Sequence, residues 1–256
     1  MRRPPAALLV PALAALALLV LPLVGLLTRT PWTRLPDLLG QDRVQQALLL
    51  SLRCSLGALL LAVVLGVPLA WLLARGSLPG TRVLRALVLV PLVLPPVVGG
   101  VALLLAFGRN GLVGPLLVST GTTPAFTSYG VVLAEAFVAL PFLVLVLEGA
   151  IAGLDPAHEE AAAMLGAGRV RVFLTVTLPL VGPSLAAGAA LAWARALGEF
   201  GATITFAGSL PGTTQTLPLA VYDLLVDDPA AAYAVSTLLL AVSLGLVVAL
   251  RTRWLR

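Results

Sequence analysis

Six stretches long enough to cross a hydrocarbon core dominate this chain, and they leave few folds open to it. They run over about Pro5–Leu27, Ala47–Ala74, Val83–Phe107, Tyr129–Gly153, Leu178–Phe206 and Ala230–Leu250. A helix needs roughly 20 apolar residues to span a bilayer, and its backbone amides must be satisfied within the segment because water is absent there. Only 11% of the 256 residues are charged and 60% are hydrophobic, whereas soluble domains average roughly 25% charged. Mean hydropathy is +1.07. The expectation is an all-α polytopic membrane protein of about six transmembrane helices, one domain over residues 1–256, with a loop at 154–177 between the fourth and fifth spans. The first stretch follows Arg2 and Arg3 as a signal peptide would. Its apolar run exceeds the roughly 7–15 residues of such a leader, so it is expected to be a retained span.

Orientation follows from the distribution of arginine over alternate loops. One side receives Arg2, Arg3, Arg75, Arg82, Arg85, Arg169, Arg171, Arg251, Arg253 and Arg256, and the other only Arg29, Arg34, Arg43 and Arg109. Both termini are therefore expected in the cytoplasm. The outer loops, about Thr28–Gln46, Gly108–Ser128 and Ala207–Pro229, hold Trp32 and Tyr222 as interfacial anchors. The net charge of +5 comes without any basic run, so nucleic acid is not an expected partner.

Several chemistries are closed to this sequence. It contains no lysine, which excludes a phosphate-binding Walker lysine or a Schiff base. The single histidine, His158, and the single cysteine, Cys54, cannot build a multi-histidine zinc site, a thiolate cluster or an internal disulfide. No catalytic residue, metal site or cofactor is expected. If ATP drives this protein, hydrolysis must occur on another polypeptide.

The inner loop reads LDPAHEEAAAMLGAGRVRVFLTVTLP from Leu154 to Pro179. Asp155 can cap a helix, Pro156 suits its first turn, and Glu159 and Glu160 complement the positive N-terminal dipole. Ala161, Ala162 and Ala163 propagate the helix, and Gly166 to Gly168 stop it. A short helix of small residues lets a partner's backbone approach closely, as a docking knob requires. The spacing Glu160–Ala161–Ala162, three residues, Gly166, nine residues, Val176, one residue, Leu178–Pro179 resembles the EAA loop of ABC importer permeases, with Val where that pattern has Ile. The resemblance implies type I importer architecture. It also implies a coupling helix seated on an ATPase subunit, with Glu159, Glu160, Ala161, Ala162, Gly166 and Ala167 at the contact.

The stretch Ala194–Tyr222, ARALGEFGATITFAGSLPGTTQTLPLAVY, is similar to the molybdate branch of that family, which is related to the sulfate branch. So are GVPLAWLLAR from Gly66 and LVPLVLPP from Leu89. Together they extend the likeness over nearly the whole chain beyond the first span. Ser209 departs from the Asn that many relatives carry. The resemblance implies a homodimer with two ATPase subunits and an extracytoplasmic oxyanion-binding protein, translocating molybdate or tungstate, with sulfate or thiosulfate as the alternative.

The fifth stretch carries its own physics. Arg195 and Glu199 are four residues apart, so they share a helix face and can pair. Ionisable groups inside a span usually face the bundle interior or a wet cavity. Arg195 either biases an anion pathway or is locked in an ion pair with Glu199, and a pair that opens in one state reconciles the two. Gly198, Gly201 and Thr203 complete the pathway or gating candidates, in a segment whose Ala194, Gly198 and Ala202 spacing permits close helix approach. The helix-breaking run that follows offers Ser209, Pro211, Gly212, Thr213, Thr214 and Gln215 as a docking surface for the binding protein. The run Pro91–Leu–Val–Leu–Pro95–Pro96 must bend the third span strongly. An ion-coupled secondary transporter and an intramembrane enzyme are the competing readings. The first usually shows inverted repeats, and none is visible here. The second needs a base that neither His158 nor Glu135, Glu148 and Glu199 supply.

Overall fold

In chain order, helices α1 (Ala6–Arg29), α2 (Leu35–Leu39), α3 (Asp42–Arg75), α4 (Thr81–Val93), α5 (Pro96–Phe107), α6 (Gly114–Ser119) and α7 (Ser128–Ala152) lead to the loop expected at 154–177. After them come α8 (Ala157–Met164), α9 (Arg169–Val172), α10 (Leu178–Leu180), α11 (Gly182–Leu197), α12 (Gly201–Phe206), α13 (Leu217–Asp227) and α14 (Pro229–Trp254). A 3-10 turn at Trp32–Arg34 precedes α2, and a π turn at Phe173–Thr177 joins α9 to α10. The computed structural model describes residues 6–76 and 79–254, with no strand among them. Arg2, Arg3 and Arg256, used above to orient the chain, lie outside the described residues.

Burial ranks the long helices. In the most apolar window of α7, 61% of residues are buried, against 33% in α3 and none in α1. Helix α7 is thus the central post. It meets α3 and α11 along a seam of small side chains, Ala58, Ala62, Ala136, Ala139, Ala192 and Ala196, closed by Leu143. Alanine costs no side-chain entropy and brings helix axes close, the usual route to helix association where lipid removes the hydrophobic driving force. Helix α1 exposes Leu8, Leu13, Leu16 and Leu19 and is held to α14 by a 2.7 Å hydrogen bond between Thr30 and Thr237 hydroxyls. Such an all-round apolar helix is stable only in lipid or against a partner.

Helix α3 has 34 residues, and Arg53 on it is exposed. From Cys54 to Ala74 it carries 21 residues without a charge, bounded by Arg53 and Arg75. At 1.5 Å per residue that is about 31 Å, the thickness of a hydrocarbon core.

Two of the expected spans are broken. The third bends by 118° between α4 and α5. Pro95 and Pro96 lack N–H donors, so the helix stops at Val93 and restarts from Pro96. The fifth bends by 77° at Val181 and breaks again between Leu197 and Gly201. About half of the expected outer loop at Ala207–Pro229 is helix. Pro218 lies in the first turn of α13, where a missing N–H costs nothing. Leu217, Leu219, Ala220 and Leu224 are buried, and Leu217, Ala220 and Leu224 cluster with Leu38, Val44 and the α14 residues Ala231 and Val235.

Candidate coupling helix and helix-break sites

Helix α8 projects from the bundle. Asp155 Oδ1 accepts a 3.0 Å bond from the Ala157 N–H, which satisfies one of the orphan donors at the helix start. At the other end Gly166 has φ +85. The Gly166 N–H donates to Ala163 O at 2.9 Å and the Ala167 N–H to Ala162 O at 3.1 Å. These are the two bonds of a Schellman motif. The helix is thus framed locally at both ends, and it exposes Glu160, Ala161, Met164 and Leu165, with Ala162 and Ala167 half-buried.

What ties α8 to the bundle is Glu159. Its Oε2 lies 3.2 Å from Arg75 Nε at the end of α3, and its Oε1 accepts a 2.6 Å bond from Thr177 Oγ1 in the π turn. Arg75 also donates to Leu154 O at 2.9 Å. Nearby, Arg85 on α4 pairs with Glu148 on α7 at 2.5 Å and donates to Leu73 O at 3.0 Å. Thus two arginines, read from sequence only as orientation charges, link α3, α4, α7 and α8. Flanking position was the only sequence sign of this. A cavity of about 520 Å³, lined among others by Arg75, Glu159, Glu160 and Arg169, separates α8 from the bundle.

The second site lies where α11 gives way to α12. Arg195 Nη1 is 2.6 Å from Glu199 Oε2, with Glu199 only 1% exposed. The other carboxylate oxygen accepts a 2.9 Å bond from the Ala202 N–H, so Glu199 caps the first turn of α12 with a charge that suits its dipole. Arg195 borders a cavity of about 110 Å³ lined also by Pro91, Leu92, Leu94 and Pro96. The break in the fifth span therefore faces the break in the third. Glycine permits this contact. A Cβ at Gly201 would lie 2.7 Å from Pro96 Cβ, and one at Gly100 would lie 2.7 Å from both Ala202 O and Thr205 Cβ. Thr203 is fully buried, while Gly198 is exposed. Glu135 on α7, given no role by sequence, is 1% exposed, and its Oε2 has no hydrogen-bond partner among the described residues.

The third group divides. Pro211, Gly212 and Thr213 are exposed and Ser209 is half-buried, whereas Thr214 and Gln215 are buried. Thr214 Oγ1 accepts from the Leu210 N–H at 2.9 Å. Gln215 Oε1 accepts from Arg43 Nε at 3.2 Å, and Gln215 Nε2 donates to Asp223 Oδ2 at 2.6 Å. Ser209 donates to the same Asp223 oxygen at 3.1 Å, and Arg43 Nη2 lies 3.4 Å from it. This network binds the start of α3 to α13. It leaves Pro211–Thr213 as the outward tip of the loop.

Comparison with known proteins identifies the family. Residues 62–256 match the family described as binding-protein-dependent transport system inner membrane component. The chain is 49% identical over 243 residues to the molybdenum transport system permease protein ModB of Mycobacterium tuberculosis, covering 95% of this chain and 92% of that protein. It is 44% identical to the ModB of Escherichia coli, covering 84% and 94%. Identity to the sulfate transport system permease protein CysT of Salmonella typhimurium is 36%, covering 92% and 86%. Among solved structures, a chain of a bacterial alginate ABC transporter in complex with a pentasaccharide-bound periplasmic protein superposes with a TM-score of 0.77 at 19% identity, covering 95% and 91%. The fold is that of an ABC transporter permease, and the chain belongs to the family of binding-protein-dependent transport system inner membrane components.

Proposed function

We propose that this chain is the permease of an ATP-driven importer that carries molybdate, or the near-identical tungstate, across the inner membrane. The observation that carries the solute is the gradient of likeness, 49% to a molybdenum permease against 36% to a sulfate permease. Two copies of the chain would form the pathway within the bilayer. Two ATPase subunits would dock on the α8 helices through Glu160, Ala161, Ala162 and the Gly166 turn, and an external oxyanion-binding protein would dock at the Pro211–Thr213 tip. Both termini would lie in the cytoplasm, as the arginine bias requires.

The contacts of α8 support a route for force. When ATP draws the ATPase subunits together, α8 moves with them. Glu159 passes that displacement to α3 through Arg75 and to the π turn through Thr177. The π turn leads through α10 into α11, whose far end carries Arg195, with Glu199 in the break just beyond it. Helix breaks are the places where such a rigid-body motion can be absorbed. Arg195 would attract the oxyanion only when its bond to Glu199 opens, because a closed pair offers an anion little net charge.

The test is uptake of radiolabelled oxyanions into vesicles containing the permease, its ATPase subunits and the binding protein. Molybdate should accumulate only with ATP inside the ATPase compartment, and unlabelled tungstate should compete. Sulfate accumulation without molybdate accumulation would overturn the solute. Uptake driven by an ion gradient without ATP would overturn the importer.

A further inference from the structure

We propose that the surface beside the coupling helix holds a site for one anionic phospholipid. Trp71 on α3 and Phe173 in the π turn meet edge to face, with centroids 6.0 Å apart. On one side of this pair is the polar cavity under α8. On the other is a second cleft of about 320 Å³, which shares Trp71, Phe173 and Arg169 with that cavity and is lined also by Pro68, Val170 and Leu174. Every wall is apolar except Arg169, and the volume is that of about ten water-sized groups at ~30 Å³ each, room for a length of acyl chain.

Depth identifies the occupant. Pro68 lies seven residues before Arg75, hence about 10 Å inside the end of the apolar run of α3. The cleft therefore begins at the charged boundary and runs into the hydrocarbon layer, where a soluble protein does not reach. Val170 is 72% and Leu174 53% exposed along its rim, an apolar edge suited to lipid tails. Charge selects the headgroup. Neither Arg169 nor Arg171 pairs with a carboxylate among the described residues, whereas Arg75 and Arg85 both do. A cation without a partner, set at the mouth of an apolar cleft, fits a lipid phosphate with net negative charge.

Native mass spectrometry of the full-length chain in detergent, titrated with phosphatidylglycerol or phosphatidylcholine, decides the matter. One phosphatidylglycerol should be retained per chain in preference to phosphatidylcholine. Arg169→Gln should weaken phosphatidylglycerol retention about fivefold, the effect of one cation near an anionic surface. Leu174→Trp, placed on the exposed rim where folding is little affected, should reduce retention by filling the cleft, and it reports independently should Arg169→Gln fold poorly. Equal retention of the two lipids, or unchanged retention in both variants, would overturn the site. So would an Arg169→Gln chain that keeps its lipid but no longer captures the ATPase subunits, since that result assigns Arg169 to a protein contact. The inference holds whichever oxyanion is carried.

Discussion

The seam between α5 and α12 and the candidate coupling helix α8 are built on opposite principles. At the seam, two broken spans press together with no room for a methyl group at Gly100 or Gly201, and the one charged pair beside it is tied down by a backbone N–H. At α8, the helix ends are satisfied by their own neighbours, and a Cβ at Gly166 would meet nothing within 4 Å. One region is fixed by tertiary packing and the other by local chain chemistry. The difference teaches where a change should unfold the molecule and where it should only disconnect it from a partner.

The hardest test of that contrast is Gly100→Val, which forces side-chain carbon against Ala202 O and Thr205. Overpacking of this kind should cost about 3 kcal/mol, visible as a large drop in the thermal midpoint of the purified chain. A midpoint within a few degrees of the parent would show that the seam yields. Next comes Glu199→Ala, which removes both the partner of Arg195 and the cap of α12. Breaking a fully buried pair costs about 3–5 kcal/mol. Because Arg195 keeps 29% exposure, the expected loss is about 2 kcal/mol, and adding Arg195→Gln should recover part of it.

Smaller effects sharpen the other side. Gly166→Ala keeps open space around the new methyl but imposes a left-handed backbone on alanine, a cost of about 1 kcal/mol. The end of α8 should fray, seen as faster amide exchange at Leu165–Ala167, with the rest of the bundle unchanged. Exchange that spreads into α7 or α11 would mean that α8 is not an independent element. Smallest in stability is Glu160→Arg, at an exposed position where surface changes stay within about 0.5 kcal/mol. Capture of the ATPase subunits should nevertheless be lost. Retained capture at unchanged stability would break the docking proposal while leaving the fold untouched.

Much of α8 was legible in sequence because its signals are short-range. The Asp155 cap and the Gly166 stop act within a few residues, and the four-residue spacing put Arg195 and Glu199 within reach of each other, although Glu199 lies in the break beyond Leu197 and not on the face of α11. The role of Glu159 was not legible. Its partner Arg75 is far back in the chain, and nothing in the EAA-like spacing distinguishes the glutamate that faces the bundle from the one that faces out. Gln215 was equally opaque. A loop rich in Gly, Ser and Thr reads as solvated, yet Arg43 and Asp223 draw Gln215 inward. Helix α13 escaped notice because its 11 residues are too short to span a bilayer and follow a run of turn residues.

The sequence by itself determined the medium and the long helices. Long uncharged runs can satisfy their backbone only as helices in lipid, and capping residues and glycine act on the chain immediately beside them. The tertiary structure alone decided which breaks face each other, which carboxylate anchors α8 and which polar side chains turn inward. The physical reason is range. Backbone satisfaction, capping and periodicity are settled within a few turns, whereas the partners of a freed carbonyl or a buried charge come from whichever helix arrives alongside.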